Sequence, residues 1–256
     1  MEERKIAVLI DAENTSHRYL KTIFEEIQKE GTVTIKRLYG DLTATNLSPY
    51  KEAVLEHALT AVQSYAYTTN KNSSDSTLII DAMDVLYREN VDVFCLVSSD
   101  SDFTGLAKRL RESGKTVIGM GREQTPLPFV KSCSRFIYLD LISNDSIVSE
   151  SDSQDNIQDV PSAESGPSAP SLEEIKETII KILSEEVDDD DEWMLVTALT
   201  MKLQKYIPNF DVRYYGCKKM TTFLQDNLKF EINKVHNPKS KYKGACDAYI
   251  KIPTVK

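Results

Sequence analysis

DVFCLVSSDSDFTGLAKRLRESGKTVIGM, residues 92–120, carries the clearest alternation of structural elements in the chain. An apolar run, DVFCLVS, gives way to an amphipathic segment, FTGLAKRLRES, and then to a second apolar run, TVIGM. Neither apolar run alternates polar with apolar residues. Strands of that kind are covered on both faces, as in a parallel sheet between layers of helices.

The same rhythm extends outward. KIAVLI (5–10), Tyr19–Gln28, VTIKRLY (33–39) and Lys51–Gln63 precede it, with LIIDAMDVLY (78–87) just before and FIYLDLI (136–142) after. Strand-like runs alternating with helical segments predict an α/β domain with a mostly parallel sheet. Ligands bind such sheets beyond the carboxyl ends of the strands, so polar residues just after strands carry the functional information.

Asp11 directly follows KIAVLI, and Asp100 and Asp102 follow the run ending at Val97. Each of these acids also suits a helix N-terminus, where a carboxylate caps free N–H groups. Ser101 and Asp102 together fit a helix start, which gives Asp102 a share in capping. Asp75 strengthens the case for a site. On a helical wheel of residues 75–87 it aligns with Leu78, Ile79, Ala82 and Leu86, the face expected to be buried, whereas Asp81, Asp84 and Arg88 share the opposite, polar face. An inward carboxylate needs N–H groups, a cation or a metal to offset its desolvation. Four carboxylates without His or Cys suit a hard divalent ion, Mg²⁺ or Mn²⁺. Such a site supports phosphodiester hydrolysis. No nucleophilic Ser or His constellation competes with it, since His17 lies at the approach to the first helix and His57 reads as an ordinary helical residue.

IDAEN (10–14), KNSSD (71–75) followed by LIIDAMD, and SSDSDF (98–103) followed by LAKRLRESGKTVIGMG resemble, in that order, the motifs of the NYN domain family, a branch of the PIN-like nucleases. The resemblance spans residues 5–142. It implies a PIN-like three-layer sandwich and a metal-dependent ribonuclease whose catalytic and metal-holding acids are Asp11, Asp75, Asp100 and Asp102. It also implies that Asn14 orients water or phosphate, that Lys71 contacts phosphate, and that Asp81 occupies a recurrent position, here read as supporting the site from behind or as structural. One departure is that Ser99 and Ser101 stand where the family often has Gly, which bears on the loop's conformation and on activity.

The 256 residues are 41% hydrophobic and 28% charged, an ordinary globular composition that excludes fibrous or wholly disordered classes. SNDSIVSESDSQDNIQDVPSAESGPSAP (143–170) is rich in Ser, Asp and Pro and poor in large apolar residues, and it reads as a flexible linker between domains at 1–142 and 171–256. Cys95, Cys133, Cys217 and Cys246 lack CxxC spacing and are expected to be reduced structural thiols. The six-residue apolar run near the N-terminus is too short for a signal core or a membrane span, so a cytoplasmic location and no membrane partner are expected.

The formal net charge of −9 conceals an uneven distribution. Residues 193–256 hold 12 basic and 4 acidic side chains, a local excess of +8. SLEEIKETIIKILSEE (171–186) opens with a capping box, Ser171 with Glu174, and sets Leu172, Ile175, Ile179, Ile182 and Leu183 on one face. WMLVTALTMKLQKYIP (193–208) and YGCKKMTTFLQDN (215–227) predict two further helices, and FEINKV and DAYIKI flank a turn, giving a small α+β, winged-helix-like domain. Lys239, Lys241, Tyr242 and Lys243 would lie on the wing and Lys218 and Lys219 on a neighbouring helix, a pattern suited to phosphate contact with base stacking. Residues 171–252 resemble the OST-HTH domain, also called LOTUS, on the stretch 193–232. That implies binding of RNA, single-stranded or structured and including G-rich RNA. Some relatives bind protein through this module, so Phe210, Tyr214 and Tyr215 are open to two readings, core or partner surface.

Together these readings predict an endoribonuclease to which the C-terminal module delivers RNA. The alternative is an RNA-binding adaptor whose nuclease-like domain serves as a scaffold. Regulation through DNA binding alone leaves the acidic cluster unexplained.

Overall fold

The structure is a computed structural model describing residues 3–41, 43, 47, 49–64, 73–143, 169–186, 193–236 and 246–251. The chain divides into two compact units, Met1–Ser168 and Ala169–Lys256. The stretch read as a linker falls almost wholly outside the described residues.

In the first unit six strands form one sheet: β1 (Lys5–Asp11), β2 (Thr32–Gly40), β3 (Thr60–Gln63), β4 (Val93–Val97), β5 (Thr116–Gly121) and β6 (Arg135–Tyr138). Their order is β3-β2-β1-β4-β5-β6, and every neighbouring pair is parallel. The unbroken apolar runs follow from this arrangement. Ile6, Ala7, Val8, Leu9 and Ile10 on central β1 are all fully buried, so both faces are covered. Ile6, Val8 and Ile10 pack with Leu20, Ile23 and Ile27 of α1 (Leu20–Ile27) and with Tyr50 and Ala53 of α2 (Tyr50–Glu56). α3 (Ser73–Arg88) lies against β1 and β2, while α4 (Thr104–Glu112) packs on β5 and on α5 (Leu127–Ser132). A fully buried Leu or Ile stabilises the fold by about 1.5–3 kcal/mol, so the strand interiors dominate its energetics.

Two segments of this unit differ from expectation. Lys51–Gln63 is not one amphipathic element, because the helix stops at Glu56 and residues 60–63 form β3. That edge strand has only four residues, with Thr60 and Ala61 exposed, and it exists by pairing with Arg37–Gly40, a contact with no local signature. FIYLDLI also divides. β6 ends at Tyr138, and Leu139–Ser143 turns into α6, whose Leu139 joins the core beside α1.

The second unit is built from α7 (Leu172–Glu186), β7 (Met194–Leu195), α8 (Val196–Tyr206), α9 (Met220–Asp226), β8 (Ile232–His236) and β9 (Cys246–Ile250). The three strands form an antiparallel sheet in the order β7-β9-β8. Ser171 caps α7 as its sequence requires, its hydroxyl accepting from the Glu174 N–H at 3.0 Å. Ile175, Ile179, Ile182 and Leu183 reach the core with Leu199, Leu203, Phe223, Leu224 and Ile250, but Leu172 remains 38% exposed. The segment read as one helix from Trp193 begins instead with β7, whose two residues pair with Tyr249 and Ile250. Phe210 is buried, and Tyr215 packs on Phe210 and Phe223, so both belong to the core of this unit.

Candidate metal centre

β1 and β4 are neighbours at the middle of the sheet, yet the chain leaves them toward opposite flanks, β1 toward β2 and β4 toward β5. A crevice forms at the carboxyl ends where the direction of winding reverses. Asp11 is the last residue of β1, and Asp100 and Asp102 follow β4 across that crevice. Asp75 enters from α3, whose first turn it occupies.

Asp11 is 1% exposed. Its Oδ1 accepts from the backbone N–H groups of Glu13 at 3.0 Å and Asn14 at 3.3 Å, and its Oδ2 accepts from Asn14 Nδ2 and Ser98 Oγ, each at 2.8 Å. Burial raises its pKa, and these four donors oppose the rise. Asn14, expected to orient water or phosphate, thus orients the Asp11 carboxylate. Ser98 bridges the two strand ends, because its Oγ also accepts from the Asp100 N–H at 3.0 Å.

Asp75, Asp100 and Asp102 each present a carboxylate oxygen, and these atoms lie within 4.8 Å of one another. The Asp75 carboxyl is pushed up from 3.8 to about 6, first by burial and then by the charges of Asp11, Asp100, Glu13 and Asp102. Without a cation the cluster therefore favours retaining a proton. Asp100 also caps the short 3-10 turn 101–103 by accepting from the Asp102 N–H at 2.9 Å, so the expected capping role belongs to Asp100 rather than to Asp102. Capping and site membership coexist in one carboxylate. The set of hard oxygen donors, together with the electrostatic pressure on Asp75, fits a divalent cation.

Glu13 and Ser98 escaped the sequence reading although both lie inside the quoted motifs. Glu13 accepts from Ser74 Oγ at 3.1 Å and so ties the β1 loop to the start of α3. Ser98 could be found only from strand adjacency, which places Val97 opposite Ile10. Ser99 accepts from the Arg122 N–H at 2.9 Å and thereby joins the β4 and β5 loops. Gly121 permits this closeness, since a Cβ there would lie 2.6 Å from the Ser98 carbonyl oxygen.

Asp81 does not lie on a solvated face. It accepts from Arg37 Nη1 at 2.5 Å and from the Tyr39 hydroxyl, fastening α3 to β2. Asp84 and Arg88 do remain exposed, 3.6 Å apart. Lys71, Lys239, Lys241, Tyr242 and Lys243 lie outside the described residues. Lys218 and Lys219 are exposed immediately before α9. None of the four cysteines is in a disulfide, and burial raises the thiol pKa of Cys95 and Cys133, which keeps both uncharged. Among the described residues no helix is long and apolar enough to cross a membrane.

The NYN domain model matches residues 5–140, and the OST-HTH/LOTUS domain model matches residues 170–242. An uncharacterised protein of Methanocaldococcus jannaschii is 28% identical over 125 residues, covering 47% of this chain. The matched stretch spans about half of that relative's length, 49%. A solved Vibrio parahaemolyticus protein of unknown function is 19% identical, with a TM-score of 0.45, over 54% of this chain and 96% of its own.

Proposed function

The chain belongs to the NYN domain family and carries an OST-HTH/LOTUS domain, and on that premise we propose that it is a metal-dependent endoribonuclease to which the second domain recruits RNA. A nuclease-type domain joined to an RNA-binding domain supports an RNA-associated role. The observation that carries the finer reading is the convergence of Asp75, Asp100 and Asp102 near Asp11 at the reversal point of the sheet.

Asp75, Asp100 and Asp102 would hold Mg²⁺ or Mn²⁺ through carboxylate oxygens, with Asp11 beneath them adding negative charge. A divalent ion held there supplies an acidified water and neutralises charge on the scissile phosphate. The chain's own contribution is to keep its donors fixed. Asn14 and Ser98 prevent Asp11 from rotating, and the Glu13–Ser74 contact keeps the first turn of α3, and with it Asp75, at the crevice. Carboxylates fixed before the ion arrives lose little ordering entropy when it binds.

In the second domain, a helical body with the β8–β9 hairpin supports a winged-helix arrangement, and Lys218 and Lys219 offer phosphate contacts. The deciding assay incubates the full chain with labelled single-stranded and structured RNA in Mn²⁺ or EDTA, beside Asp100→Asn. Internal cleavage that requires Mn²⁺ and disappears in the variant is the expected result. RNA binding without cleavage would leave an adaptor in place of an enzyme.

A further inference from the structure

Arg122 is the first residue beyond β5 and is exposed at the carboxyl edge that carries the acids. The parallel register sets Val97 opposite Met120, and continuing it by two residues sets Ser99 opposite Arg122. The Arg122 N–H donates to Ser99 Oγ at 2.9 Å, which fixes the register at the residue before Asp100. Adjacent strands are about 4.8 Å apart, so an arginine side chain at this position is long enough to reach the space beside Asp100 and Asp102.

The backbone that carries it is closed on every side. The Arg122 carbonyl accepts from the Thr125 N–H at 3.0 Å and from Thr125 Oγ1 at 2.6 Å, and Thr125 is fully buried. The next N–H, that of Glu123, donates to Asp140 Oδ2 at 2.7 Å. Among the described residues the Arg122 guanidinium makes no ion pair or hydrogen bond. A fixed backbone therefore presents an exposed, planar, permanently charged fork at the sheet edge that carries the acidic site, which would otherwise repel a polyanion.

We propose that Arg122 receives a phosphate of the RNA strand next to the carboxylate centre and so sets the strand's position across the β4–β5 side of the crevice. This rests on the ribonuclease reading. Guanidinium matches two phosphate oxygens at once, and a contact made from a pinned turn costs little ordering entropy.

The test uses the full chain carrying Asp100→Asn, so that RNA survives, with and without Arg122→Ala. Binding is measured for a short single-stranded RNA and for a series bearing one neutral methylphosphonate at successive positions, while Mn²⁺ affinity is followed on the chain with native Asp100. Arg122→Ala is expected to weaken RNA binding about tenfold and to lower the salt slope by about 1. One methylphosphonate position should weaken binding to the parent but no longer to the alanine variant, with Mn²⁺ affinity unchanged. Arg122→Lys should recover part of the affinity. Identical binding and identical methylphosphonate profiles in the two proteins would overturn the proposal, as would an equal loss of Mn²⁺ affinity, which would make Arg122 a support of the centre. Absence of cleavage by the wild-type chain would remove the ribonuclease reading yet leave this binding contrast measurable.

Discussion

Asp75 and Asp81 stand six residues apart on the same helix and lead opposite electrostatic lives. Asp75 faces other carboxylates and is driven up to about 6, whereas Asp81 faces Arg37 and Tyr39 and is satisfied by both. The first is a strained charge that a cation would relieve, and the second is a fastener that needs nothing more. Neighbours from other elements, rather than the helix itself, decide which acid is available for chemistry.

This contrast is open to attack from both ends. Removing the frustrated acids should have the largest effect. Asp75→Asn or Asp100→Asn is expected to lower Mn²⁺-dependent RNA cleavage at least about a hundredfold while leaving the thermal midpoint in EDTA unchanged or higher. If either variant cleaves normally, the cluster is not the catalytic centre. Removing the satisfied acid should do the reverse. Asp81→Ala leaves Arg37 and the Tyr39 hydroxyl without their acceptor and should destabilise the protein by about 2 kcal/mol in urea unfolding, with Mn²⁺ affinity retained. A large loss of Mn²⁺ affinity with normal stability would invert the assignment.

A smaller effect should appear with pH. The folded protein holds the Asp75 proton up to about pH 6 and the unfolded chain releases it near 3.8, so this contribution to stability is complete below 3.8 and is lost as pH rises through 6. Solvent screening limits its size to about 1 kcal/mol. In EDTA the melting temperature should therefore fall between pH 4 and 7, less so in Asp75→Asn, and Mn²⁺ at pH 7 should restore it. A flat profile in the wild-type chain would mean that the carboxylates do not press on one another. The smallest change is expected far from the cluster. Lys218→Ala with Lys219→Ala should lower the salt slope of RNA binding by about 1 to 2 without altering Mn²⁺ affinity. An unchanged slope would point this face of the second domain toward a protein partner.

Much of the fold could be read directly. Five of the six parallel strands are legible as strand-like runs, most plainly β1, β4 and β5, because a strand buried on both faces carries its environment in its own composition. β3 was hidden because a four-residue edge strand, half exposed, is defined by its partner. α6 was hidden because Leu139 and Ile142 suit a strand or a helix equally well until α1 is seen beside them. At the site, strand ends pointed to Asp11, Asp100 and Asp102, and the wheel pointed to Asp75. The same wheel set Asp81 apart from Asp75, in keeping with its structural role, although helical periodicity cannot tell solvent from a neighbouring strand that carries an arginine.

The α/β rhythm, the order of the acidic motifs and the candidacy of the four aspartates are legible in the chain alone, because these are properties of local composition and spacing. Their division came only with folding: three carboxylates within 4.8 Å of one another, Asp11 held by Asn14 and Ser98, and the Arg122 N–H tied to Ser99. That division depends on strand order and register, which arise from contacts between residues far apart in the chain and so leave no mark on any single segment.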